Sequence, residues 1–160
     1  MSHEYTYDIS MFRDTFETRF TYLNGFLRNV SRFGSRPALF DPRSGRRWTY
    51  RELNAEANRL AHALRADGVG KNDVVMFTLL NSPEFVFCYL AAHKIGAVAC
   101  PVNYRQGAGE IALVIDDSTP KAFIYDAEFG ELSGGALDLC ESKPAIKIVV
   151  GADDAVPAGQ

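Results

Sequence analysis

From Phe12 the apolar residues recur at three- and four-residue steps, through Phe16, Phe20, Leu23, Leu27 and Val30. That spacing lines one face of a helix. Asn24-Gly25 interrupts the stripe and predicts a break inside it. Two short runs follow, Ala38–Phe40 and Arg46–Tyr50, on either side of Asp41-Pro42-Arg43-Ser44-Gly45. Pro and Gly between strand-like runs predict a β-hairpin from Pro37 to Tyr50. Thr49 and Glu52 have the T-x-x-E spacing of a capping box, in which each side chain accepts from the other residue's amide. Leu53, Ala57, Leu60, Ala61 and Leu64 then form a helical stripe that Gly68 ends.

The second half alternates. Val74–Leu80 is a continuous apolar run of strand length, the pattern of a strand covered on both faces. Ser82 suits a helix N-cap and Pro83 the first helical position. The helix Pro83–Ile95 is apolar almost all round and is expected to be deeply buried. Phe85, Val86, Tyr89, Leu90 and Ile95 would each contribute about 1.5–3 kcal/mol if fully buried. Gly96 stops it, and Ala97–Val102 is the next strand. Pro101 has no amide donor, so this strand belongs at a sheet edge or ends its pairing there. A helix over 109–117, a strand at Lys121–Asp126, a weak helix over Glu131–Cys140 and a strand at Ala145–Gly151 complete the pattern. Residues 1–10 read as a loose N-terminus, 11–150 as one α/β unit and 151–160 as a linker. Strands alternating with helices predict an α/β fold, a mostly parallel sheet with helices on both faces, preceded by the hairpin.

Composition narrows the function classes. The chain has 160 residues, 47% of them hydrophobic and 23% charged, with a net charge of −3. That is an ordinary globular balance, and no global field favours nucleic acid or anionic lipid. The basic residues are scattered apart from Arg43, Arg46 and Arg47. Cys88, Cys100 and Cys140 are widely spaced and lack a C-x-x-C, which reads as reduced thiols in a cytoplasmic protein. No apolar run approaches the roughly 20 residues of a transmembrane helix.

Several chemistries are absent from the sequence. Gly68–Asp73, "GVGKND", invites a phosphate-loop reading and fails it. Arg65 stands where the first glycine is needed, Asn72 where Ser or Thr should hold magnesium, and the segment closes a helix instead of opening one. There is no G-x-G-x-x-G and no G-x-S-x-G. His3, His62 and His93 have no ligand spacing, so no metal site is expected. Asp116-Asp117 and Asp153-Asp154 are neighbours that diverge from one another, poor candidates for paired acids.

Three ordered segments carry a family resemblance. "WTYRELNAEANRLAHALRADGVGKNDVV", "NSPEFVFCYLAAHKIGAVACPVNYR" and "EIALVIDDSTPKAFIYD" resemble the amino-terminal part of the adenylate-forming, AMP-binding superfamily. The likeness runs roughly from Phe16 to Val150. Pro101 and Asn103 resemble its acyl-CoA synthetase branch more than its peptide-synthetase branch. The resemblance implies a two-step ligase: a carboxylate attacks the α-phosphate of magnesium-ATP, and coenzyme A then displaces AMP from the acyl-adenylate. The Ser/Thr/Gly-rich phosphate loop, the adenine and ribose motifs and the catalytic lysine of such enzymes are not in these residues. The chain is therefore expected to be an amino-terminal fragment, inactive alone, that supplies no catalytic residue. Its implied partners are the remainder of the same enzyme chain and a small-molecule carboxylate, with homo-oligomerisation open. ATP, Mg2+ and coenzyme A belong to the complete enzyme. The alternative is a stand-alone, non-catalytic α/β binding or assembly module.

Ligands of open α/β sheets sit outside the carboxyl ends of the strands. Asn103-Tyr104-Arg105 follows such an end. By the resemblance, Arg105 would meet a phosphate of coenzyme A, Tyr104 would pack on its pantetheine or adenine, and Lys94 would add charge nearby. Structural roles compete with these: Lys94 suits a helix C-terminus, and Tyr104 and Arg105 suit a turn. Two glycines in Gln106–Glu110 depart from the family's pattern after the arginine.

Overall fold

The structure, a computed structural model, describes residues 9–151. Most of the expected linker and of the expected loose N-terminus lies outside them, as do His3 and Asp153-Asp154. The chain opens with α1 (Ile9–Phe12), which continues as a π-helical stretch, Arg13–Arg19. α2 spans Tyr22–Phe33. The break between them falls at Phe20–Thr21 and not at Asn24-Gly25. Thr21 is the N-cap of α2, and its side chain accepts from the Asn24 amide at 3.2 Å. Asn24 and Gly25 thus sit in the first turn, where Gly costs little.

β1 (Pro37–Phe40) pairs antiparallel with β2 (Arg47–Thr49), as the hairpin predicts. Asp41 organises its turn: one carboxylate oxygen accepts from the Arg43 amide at 3.0 Å, the other from the Ser44 hydroxyl at 2.6 Å. α3 (Tyr50–Ala66) starts on the expected capping box. Thr49 Oγ1 accepts from the Glu52 amide at 3.3 Å, and Glu52 Oε2 accepts from the Thr49 amide at 2.8 Å.

Four strands then form a parallel sheet in the order β4-β3-β5-β6: β3 (Val74–Thr78), β4 (Val98–Pro101), β5 (Ala122–Asp126) and β6 (Ile146–Val150). α4 (Pro83–Ile95), α5 (Ala108–Ser118) and α6 (Gly130–Leu139) connect them. β4 is an edge of this sheet, and its register ends at Phe77↔Pro101, where proline has no donor to give.

The period of two along the strands sorts the core. Val75, Phe77, Ala122 and Ile124 pack against Leu64, Cys88, Ala91 and Ala92 of α3 and α4. Met76 and Phe123 turn the other way, onto Ile111 and Ile115 of α5 and Ala136 of α6. A third cluster, Phe26, Trp48, Leu53, Ala57 and Leu90, fastens α2 and the hairpin to α3 and α4. α4 therefore has apolar partners on two sides, which explains its nearly uniform hydrophobicity. Only Leu90 of the five side chains singled out above is fully buried; Phe85, Val86, Tyr89 and Ile95 are half-buried. Gly96 ends α4 with φ +74°, a conformation that disfavours a side chain.

Ser82 occupies the N-cap of α4 with extended backbone, as expected, but its hydroxyl makes no cap bond and is buried without a partner among the described residues.

Candidate functional site at the carboxyl ends of the strands

Parallel strands deliver their following loops to one rim. Three of those loops carry the polar and aromatic residues of interest: Leu79–Ser82 after β3, Val102–Gly107 after β4 and Ala127–Phe129 after β5. The β4 loop is pinned by its own chemistry. Val102 donates its amide to Phe77 O at 2.9 Å, extending the sheet by one bond. Asn103 Oδ1 then accepts from the Arg105 amide at 3.0 Å, and Gln106 N donates to Asn103 O at 3.1 Å. This is an Asx-type turn, in which Asn103 spends its carbonyl on the backbone. Asn103 thus shapes the loop and presents the two residues after it.

Tyr104 stacks on Phe129, ring centroids 4.8 Å apart and planes at 6°. Phe129 ends a 3-10 turn that Asp126 starts by accepting from the Glu128 amide at 3.0 Å. The Arg105 guanidinium carbon lies 5.6 Å from the Tyr104 ring centroid. Arg105 is exposed and has no carboxylate within ion-pair distance among the described residues. An unpaired guanidinium beside an aromatic pair can take a planar group and an anion together. Glu110 faces the same loop, but its carboxylate accepts from the Gly107 amide at 2.8 Å and caps α5. Thr78, the last residue of β3, has a buried hydroxyl with no partner among the described residues.

Lys94 does not join this group. It precedes β4, whereas Asn103-Tyr104-Arg105 follow it, so the two lie at opposite ends of that strand. Its ammonium donates to Asn54 Oδ1 of α3 at 2.7 Å and lies 5.9 Å from the Phe26 ring. Burial lowers its pKa from the ordinary lysine value.

Phe129 is the residue that sequence reasoning missed. Its one signal is its place, an aromatic three residues beyond a strand's carboxyl end; its contact with Tyr104 spans 25 positions and has no local trace. "GVGKND" is a closed turn. Asp73 Oδ2 accepts from the Gly70 amide at 2.8 Å and from Lys121 Nζ at 3.0 Å, and Lys121 also donates to Gly68 O at 2.6 Å. The Gly70 amide and then Lys121 hold the Asp73 carboxyl below its usual pKa.

No three His, Cys, Asp or Glu side chains converge as metal ligands among the described residues.

A parallel sheet with helices on both faces, led by a hairpin, and a loop-built rim at its strand ends define an open α/β protein. The family of AMP-binding enzymes matches residues 26–159, and the chain belongs to it. It is 44% identical over 107 residues to a 3-hydroxybenzoate–CoA/4-hydroxybenzoate–CoA ligase of Thauera aromatica, covering 67% of this chain and 20% of that one. It is 38% identical over 100 residues to a crotonobetaine/carnitine–CoA ligase of Citrobacter koseri, 61% of this chain and 19% of that one. A solved putative long-chain-fatty-acid CoA ligase from Rhodopseudomonas palustris superposes with a TM-score of 0.75 and 32% identity, over 83% of this chain and 33% of that one. The chain thus spans about a fifth of the length of these curated relatives.

Proposed function

We propose that this chain forms the amino-terminal α/β part of an AMP-forming acyl-CoA synthetase. The reaction joins a carboxylic acid to coenzyme A at the expense of ATP, through an acyl-adenylate, and releases AMP and pyrophosphate. The observation that carries the reading is the family match over residues 26–159, together with relatives whose names describe CoA ligases. Those relatives name chemically different acids, so the likeness supports the ligase chemistry and leaves the acid open.

Within that reaction these residues bind and shape; they do not perform the bond changes. Arg105 is the contact for a phosphate of coenzyme A, and the Tyr104–Phe129 pair is the platform beside it. The free guanidinium and stacked rings at the strand ends support this assignment. Lys94, at the other end of β4, is assigned a structural role on α3 and α2. ATP and Mg2+ are held by other parts of the complete enzyme, and these 160 residues are inactive alone. Cys88, Cys100 and Cys140 are unbridged, which supports a cytoplasmic setting.

The test is ATP–pyrophosphate exchange with aromatic, short-chain and long-chain acids. The full-length protein should exchange with one class, and the 160-residue chain with none. Exchange by the 160-residue chain would overturn its assignment as a non-catalytic part. A full-length protein that forms no adenylate with any acid would favour the stand-alone module.

A further inference from the structure

The net charge of −3 hides a strong segregation. Residues 9–59 hold ten arginines and five carboxylates, whereas residues 60–151 hold seven basic and eleven acidic side chains. Exposed apolar side chains are segregated in the same direction. Eight of the twelve large apolar residues exposed in the described structure lie between Ile9 and Phe40.

The two features meet on one ribbon. Phe12, Phe16 and Phe20 follow one another in a row, ring centroids 4.7 and 5.5 Å apart and planes tilted by 31° and 32°, and Phe16 and Phe20 are 52% and 63% exposed. Arg28 of α2 closes the row, 5.5 Å from the Phe20 ring, and donates to Arg19 O at 3.2 Å. Arg32 lies one turn further along α2. Arg32 and Arg36 are 5.5 and 5.2 Å from the Phe33 ring. Arg13 and Arg19 are neutralised locally, by Glu17 at 3.8 Å and Asp14 at 2.8 Å. Arg28, Arg32 and Arg36 have no carboxylate within ion-pair distance among the described residues.

From this arrangement we infer that the α1–α2 segment docks the protein on an anionic phospholipid surface. Exposed aromatic rings beside unpaired cations are the two components of interfacial binding: rings enter the headgroup–acyl boundary and guanidiniums meet lipid phosphates. No described helix is long and apolar enough to cross a membrane, so the contact lies in the interface plane. The inference does not depend on the proposed ligase reaction.

The test is co-sedimentation of the full-length protein with vesicles of 30% phosphatidylglycerol in phosphatidylcholine, against vesicles of phosphatidylcholine alone. Binding should require the anionic lipid and weaken with salt. Each guanidinium lost should lower the partition coefficient about fivefold, so R28Q/R32Q/R36Q together should lower it roughly a hundredfold. F16S/F20S should abolish what remains at high salt. These arginines are exposed, so the triple variant keeps its fold, and a circular dichroism melt checks it. Equal binding by wild type and the arginine variant would overturn the inference, as would no binding to anionic vesicles. So would a stable dimer that F16S/F20S dissociates, or RNA binding without vesicle binding.

Discussion

Replacing Arg105 by alanine separates a ligand contact from a structural one. The side chain is exposed, makes no ion pair among the described residues, and holds its guanidinium carbon 5.6 Å from the Tyr104 ring centroid. Its loss should cost the fold no more than about 0.5 kcal/mol, invisible beside the burial that holds α4 and α5. A guanidinium–phosphate hydrogen bond contributes about 1.5–3 kcal/mol, or roughly 10–150-fold in affinity. The rim is open to solvent and screened, so the lower end applies. We therefore expect R105A to raise the KM for coenzyme A about tenfold while leaving ATP–pyrophosphate exchange unchanged, since exchange precedes the thiol. R105K should recover part of the loss as a point charge without the fork. The assay is thioester formation against coenzyme A concentration in the full-length enzyme, run beside exchange. An unchanged KM for coenzyme A would refute the assignment. A parallel fall in exchange would show that Arg105 supports the fold or the adenylation step instead.

Other consequences concern the scaffold. T49A removes the hydroxyl that serves the capping box and should cost about 1 kcal/mol in urea unfolding with an unchanged m-value. Asp73 has a lowered pKa, so its contribution is present above the ordinary carboxylate value of 3.8 and is lost as pH falls through the folded-state value; D73N should flatten the acid limb of the stability curve below about pH 4. Burial pushes the Cys88 thiol up to about 12 and raises that of Cys100 as well. At pH 8 a disulfide reagent should therefore label Cys88 only on unfolding; rapid labelling of the native protein at Cys88 would contradict the packing of α4 against the sheet.

What could be read from the sequence was local chemistry and period. Thr49-x-x-Glu52 carries both partners of its cap within four residues, and the structure has both bonds. Pro101 announces an edge because a missing donor is a property of one residue. The Phe12–Phe16–Phe20 stripe was legible as a helix face, yet its rings are exposed; a period says that a face is apolar and not what it meets. The break before α2 was misplaced because Gly25 is tolerated in a first turn while Thr21 supplies the cap. At the rim, Tyr104 and Arg105 could be proposed from their position after a strand. Phe129 could not, since a stacking contact across 25 residues is set by how α5 and β5 return the chain. Lys94 was grouped with them by nearness in sequence, although the strand between them carries it to the other end of the sheet.

The most direct measurement of the central claim follows oxygen. The full-length protein would be given ATP, coenzyme A and an 18O-carboxylate-labelled acid from the class it activates. Attack of that carboxylate on the α-phosphate predicts AMP carrying one 18O, with unlabelled pyrophosphate. Label in inorganic phosphate, or none in AMP while thioester accumulates, would contradict an acyl-adenylate and with it the placement of this chain in an AMP-forming ligase.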